Sequence, residues 1–169
     1  MSSLGSPNPF FIAGKKKALE IERSARFRGA TDQRFDRTLS STSSSYTISM
    51  WFKITPVTTN FSRGLFTLGP ANNTDVAGVV FNTGDNLIFY GGNGTSSITT
   101  TRKFRDTSAW YYFTYSVNSN NFTAYINGES LQTGTVRSLD TTSNGFRLGG
   151  WWGGYDLFQG YIADFYLID

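Results

Sequence analysis

The sequence predicts an all-β chain: a two-sheet antiparallel jelly-roll sandwich with an extended N-terminal arm. Three observations predict it. Apolar residues recur with period two in short runs, residues suited to tight turns separate those runs, and no stretch of ten residues or more carries a helical apolar stripe. The composition agrees, because 17% aromatic residues fit pleated, half-buried surfaces and 18 glycines fit frequent turns. A length of 169 residues is enough for one domain with a substantial core. We divide the chain into an arm, residues 1–17, and a sandwich domain, residues 18–169.

The arm carries Gly, Ser and Pro punctuation around "NPFFIAGKKK" and shows neither a helical nor a strand period. Phe10, Phe11 and Ile12 form an apolar anchor, followed by Lys15, Lys16 and Lys17. A free apolar tail is a liability, so these residues are expected to dock on a partner. Residues 1–37 hold eight basic and four acidic residues, whereas residues 38–169 hold seven basic and eight acidic. The overall charge of +3 therefore belongs to the N-terminal stretch. Its cations are not interleaved with stacking aromatics, so a partner-facing arm is expected and no nucleic acid.

From Ala18 the alternation begins, with Leu19, Ile21 and Arg23 against Glu20 and Glu22. "YTISMWFKI" sets Tyr46, Ile48, Met50, Phe52 and Ile54 on one face and Thr47, Ser49, Trp51 and Lys53 on the other. Strand candidates follow in "GLFTLG", "AGVVFNT", "NLIFYGG", "SSITTTRKF", "WYYFTYSVN", "FTAYING", "GFRLGG" and "LFQGYIADFYLID". Between them stand turn sequences such as Thr83-Gly84-Asp85-Asn86, Asn118-Ser119-Asn120-Asn121 and Asn127-Gly128. "WYYFTYSV" is apolar or aromatic on both faces at one end, which predicts a central strand covered on both sides. The expected core includes Tyr46, Ile48, Met50, Phe52, Phe113, Tyr115, Ile162 and Phe165.

Several blocks resemble, in order, the concanavalin A-like, laminin-G-like jelly-roll domains of tailed-phage virion proteins. "LEIERSARFRGATDQRFDRT" resembles their opening strand pair, and "YTISMWFKI" is similar to their T-x-S-x-W-x-K strand. "FRDTSAWYYFTYSVNSNNFTAYINGESL" resembles their FRD-x-S-AWYH…YVNG block, with Tyr112 where many relatives carry histidine. "FQGYIADFYLID" resembles the closing strand. The resemblance covers residues 18–169. It implies a virion structural protein, assembled in the host cytoplasm and held by major capsid or tail subunits, with a homo-oligomer as a further option. Its small size and single domain point to a head decoration or cement protein. The alternative is a carbohydrate-binding receptor module of the tail or a tail fibre, engaging a host surface glycan.

Chemistry is narrowly bounded. The chain has no His and no Cys, which excludes nucleophile–histidine relays, imidazole or thiolate zinc sites, and disulfides. Glycoside hydrolysis needs only two carboxyls, but Glu20-Ile21-Glu22 lacks a third acidic position, and Glu129 sits in a turn. The expectation is a protein that is not an enzyme and carries no cofactor. Calcium is the one ion considered, through Asp32, Asp75, Asp85, Asp106, Asp140 and Asp156, although no D-x-D-x-D spacing gathers them. No apolar run has the length of a membrane span, so no membrane insertion is expected, and residues 1–17 lack the order of a signal peptide.

The remaining candidates are Trp151, Trp152, Tyr155 and Asp156, fenced by Gly149-Gly150 and Gly153-Gly154. Adjacent strand residues point to opposite faces, so the backbone should turn here and the strand resume near Phe158. The set is expected to contact either a glycan or another subunit, with at least one tryptophan largely exposed.

Overall fold

The computed structural model describes residues 21–29, 33–40, 42–56, 62–69, 76–92, 97–139, 145–151 and 157–169. The arm residues Phe10, Phe11, Ile12, Lys15, Lys16 and Lys17, and also Glu20, Trp152, Tyr155 and Asp156, lie outside them.

Twelve strands and no helix make up the described residues. One sheet holds β1 (Ala25–Arg28), β12 (Gln159–Ile168), β3 (Tyr46–Ile54), β8 (Tyr111–Asn118), β9 (Asn121–Ile126) and β10 (Glu129–Thr135), in that spatial order. The other holds β2 (Phe35–Arg37), β11 (Phe146–Leu148), β4 (Arg63–Leu68), β5 (Ala77–Phe81), β6 (Asn86–Gly91) and β7 (Ile98–Lys103). Every strand pairing is antiparallel. The chain is an all-β jelly-roll sandwich, as its alternation predicts.

Period two places the core. In β3 the residues Tyr46, Ile48, Met50, Phe52 and Ile54 are all buried, while the intervening residues are half-buried. Across the register Phe52 lies opposite Tyr111 of β8 and Ile162 of β12. Its ring also meets Phe81 at 5.6 Å and Phe104 at 6.0 Å, so both sheets share one aromatic core. Burial of this face removes apolar area from water at roughly 25 cal/mol per Å², the largest stabilising contribution the fold has.

Turns close as their residues require. Ser119 and Asn120, and Asn127 and Gly128, adopt positive φ in the two-residue loops of β8–β9 and β9–β10. These primed turns match the strand twist. The side chain of Asn127 also accepts the backbone N–H of Tyr112 at 2.8 Å, locking the hairpin end against β8.

Two expectations change, and a third is met through an irregularity. Among the described residues the opening strand begins at Ala25, where pairing with β12 starts, and residues 18–20 of the expected strand lie outside them. Among the described residues, β8 buries one face: Tyr111, Phe113, Tyr115 and Val117 are buried, but Tyr112, Thr114 and Ser116 stay half-buried on the far side. In β12, Ile162 and Phe165 both face inward, which strict alternation forbids. A bulge between Ala163 and Tyr166, with Asp164 at φ 46°, resets the parity. Phe165 then stacks on Phe146 at 5.3 Å, and Tyr166 turns outward, 58% exposed.

A candidate recognition face on the second sheet

The candidate site is the outer face of the sheet β2-β11-β4-β5-β6-β7, where Trp151 comes to rest. Gly149 ends β11 with φ +83°, a conformation L side chains rarely adopt, and turns the chain out of the strand. The turn is anchored on both sides: the Gly149 N–H donates to the Leu65 carbonyl at 2.9 Å, and its own carbonyl accepts the Phe158 N–H at 3.0 Å. The Thr67 hydroxyl then donates to the Gly150 carbonyl at 2.7 Å, holding the chain over β4. Gly149 and Gly150 thus turn the chain as the sequence implied, and the strand resumes at Gln159.

Trp151 crosses above Gly78 of β5. A β-carbon on Gly78 would stand 3.0 Å from Cζ3 of the indole, so a bare backbone there makes room for the ring. Tyr90 of β6 pairs with Gly78 across the sheet and sets its ring 5.0 Å from that of Trp151. Both rings are half-buried. Val80 and Ile88, paired on the same face, extend an apolar floor beside them. The expectation of a largely exposed tryptophan therefore does not hold for Trp151, which has a partner ring and a glycine seat; Trp152 lies outside the described residues.

Arg147 fixes the approach. Nε and Nη2 donate to the two carboxylate oxygens of Asp36 at 2.7 and 2.9 Å, and Nη1 donates to the Trp151 carbonyl at 3.0 Å. One nearly buried guanidinium thereby ties β2, β11 and the tryptophan loop together. Burial alone would raise the Asp36 carboxyl, but hydrogen bonds from Arg147 and Arg34, and their charges, outweigh it and hold it below the usual range. Because the folded-state value lies below the unfolded value of about 3.9, the contribution is complete above that pH. It is lost as pH falls through the folded-state value. The stability gap between the native protein and Asp36→Asn should accordingly narrow on acidification below about pH 4, read by urea unfolding across pH. A gap that stays constant contradicts the assignment.

Among the described residues the carboxylates are engaged one by one. Glu22 is exposed ahead of β1, and Glu129, exposed at the start of β10, lies 3.9 Å from Arg102. Asp85 bridges Arg63 and Arg105 at 3.0 and 3.3 Å. Asp106 accepts the Ser108 N–H and hydroxyl, ordering the turn that feeds Trp110, as its sequence position suggested. No group of three potential ligands stands together among the described residues. Asp32, Asp75 and Asp140 lie outside those residues.

A family model, the concanavalin A-like lectin/glucanases superfamily, matches residues 27–169. The chain belongs to this superfamily. No curated protein sequence matches it. Among solved structures, the superfamily fold is shared with domain 4 of AbnA, a GH43 extracellular arabinanase from Geobacillus stearothermophilus, in complex with arabinotriose. There the TM-score is 0.66 and the identity 24%, over 86% of this chain and 70% of that one. The CBM40 of a Ruminococcus gnavus IT-sialidase, bound to α2,3 sialyllactose, gives 0.65 at 15% identity, over 88% and 92%. Domains LG4-5 of the mouse laminin α1 chain give 0.63 at 16%, over 87% of this chain and 41% of that one. At these identities the likeness is one of fold: a lectin-like, laminin-G-like jelly roll.

Sequence reasoning singled out Trp151 but missed Tyr90, Gly78, Arg147 and Asp36. Gly78, the second residue of "AGVVF", was the available signal, since a strand glycine often marks a close approach. Its visitor could not be read from local pattern.

Proposed function

We propose that this chain is a non-catalytic structural module of a tailed-phage virion, a lectin-like jelly roll displayed on the particle as a decoration or cement protein. Its N-terminal stretch, with Phe10, Phe11 and Ile12 ahead of Lys15, Lys16 and Lys17, anchors it to capsid or tail subunits. The ordered sequence blocks support the reading, and one structural observation carries it. On the flank between β1–β12 and β2–β11, an open apolar pocket of about 620 Å³ is lined by Phe35, Phe146, Leu148, Phe165 and Tyr166. Of these, Phe35 and Tyr166 are 59% and 58% exposed. Large exposed side chains gathered in one place mark contacts with protein. Deleting residues 2–16 is expected to leave a folded domain that no longer joins particles, scored by its copy number in purified virions. Normal incorporation of the truncated protein refutes the anchoring role.

A second reading is favoured by the Tyr90–Trp151 pair: the module binds a host surface glycan on its second sheet. Aromatic rings beside polar groups are a common seat for sugars. On that reading Tyr90→Ala removes binding on a glycan array while the melting temperature stays close to the parent's. A blank array for the unmodified protein dismisses it.

A further inference from the structure

The opposite sheet carries a feature that neither reading uses. Its outer face, turned away from the core, carries large rings that include Trp51, Tyr112, Tyr161 and Trp110. Trp51 of β3 and Tyr112 of β8 stand directly across the register, with centroids 5.0 Å apart and planes inclined by 38°. Tyr161 of β12 pairs with Lys53 on one side and Arg26 on the other, and the Arg26 guanidinium lies 5.8 Å from the centre of its ring. Trp110, just ahead of β8, reaches Tyr161 at 6.4 Å. These rings contribute nothing to the buried cluster between the sheets. All four remain half-buried, and no described strand packs over them.

Spacing makes this a single surface. Neighbouring strands lie about 4.8 Å apart and alternate residues about 6.8 Å along a strand. Lys53, two residues from Trp51 and level with Tyr161, therefore sits beside both rings, with Arg26 at the margin. Arg28 follows on the same face as Arg26, opposite Gln159. The carboxylate beside Lys53, that of Asp106, already accepts two hydrogen bonds from Ser108. The face thus offers apolar ring surfaces flanked by cations at sheet spacing.

We infer that this face binds an acidic polysaccharide, with sugar rings packed on Trp51 and Tyr112 and their carboxylates paired with Lys53 and Arg26. A saccharide ring presents apolar C–H groups to an aromatic face, and a uronate adds an anion at its rim. The two halves of the surface match those two properties, and charge complementarity selects an anionic over a neutral chain. Because the outer faces of the two sheets lie on opposite sides of the core, the inference is independent of the Tyr90–Trp151 site.

Affinity electrophoresis through gels containing polygalacturonate, alginate or dextran tests it with the full chain. Retardation is expected in polygalacturonate or alginate and none in dextran, weakening as salt is raised. Trp51→Ala and Lys53→Gln should each reduce the affinity at least tenfold, and Tyr90→Ala should leave it unchanged. Lys53→Gln carries the test should Trp51→Ala lower the melting temperature. Absence of retardation in both acidic gels overturns the inference, as does equal retardation in dextran. A stronger interaction with oligo-dT than with either uronate would assign the face to nucleic acid and equally overturn it.

Discussion

Phe52→Ala should destabilise the protein by about 3–5 kcal/mol, the usual cost of truncating a fully buried phenylalanine. For a domain of this size that corresponds to a fall in melting temperature of roughly 6–20 °C. The residue is completely buried, and its ring meets Phe81, Phe104, Tyr111 and Phe113. Two of those partners, Phe81 and Phe104, belong to the second sheet side of the core, so the cavity would open between the layers where collapse is hardest. Trp51→Ala, one position away, removes a larger side chain from the outer face and should cost far less. Thermal unfolding of the pair reads the strand register directly: if Trp51→Ala proves the more destabilising, the wrong face has been assigned to the core.

Gly149→Ala should be the next most damaging change. Its φ of +83° is costly for any residue with a β-carbon, and that carbon would stand 2.2 Å from Cε1 of Phe27. Left-handed backbone costs about 1–2 kcal/mol and overpacking about 1–3, so a loss of about 2–5 kcal/mol is expected. The same residue fastens the tryptophan loop through its hydrogen bonds to Leu65 and Phe158. Trp151 should then loosen from Tyr90, and tryptophan emission should shift to the red in the folded variant. Unchanged stability together with unchanged emission would show that the loop does not depend on this turn.

How much of this was legible depends on the range of the signal. The core face of β3 could be read from "YTISMWFKI" because alternation is local: each residue's direction follows from its neighbour's. The turns at Asn127-Gly128 and Gly149 were legible for the same reason, since the residue type itself answers the backbone requirement. Contacts set by strand order were not. Tyr90 and Trp151 are far apart in sequence and meet only because β5 and β6 follow β4 in one sheet while the chain after β11 folds back over them. Asp36 and Arg147 are likewise joined by the pairing of β2 with β11. The bulge at Asp164 lay between these cases. Two inward residues at odd separation, Ile162 and Phe165, required an irregularity, but nothing in the sequence placed it at an aspartate with positive φ.

The outward row of β3 teaches a related lesson. Trp51 and Lys53 belong to the alternating block "YTISMWFKI", yet neither builds the core. Packing explains Ile48, Met50 and Phe52; it leaves Trp51 and Lys53 to be explained by what meets the sheet from outside. The exposed flank at Phe35 and Tyr166 poses the same question of the sandwich edge. Both surfaces suit a module that works in contact with other molecules.

Locating this chain in the intact particle tests that account most directly. Cryo-electron microscopy of purified virions, with copy number measured by quantitative mass spectrometry, should show the jelly roll at regular positions, its β1–β2 flank against a neighbouring subunit. Absence of the chain from purified particles would contradict the proposed role.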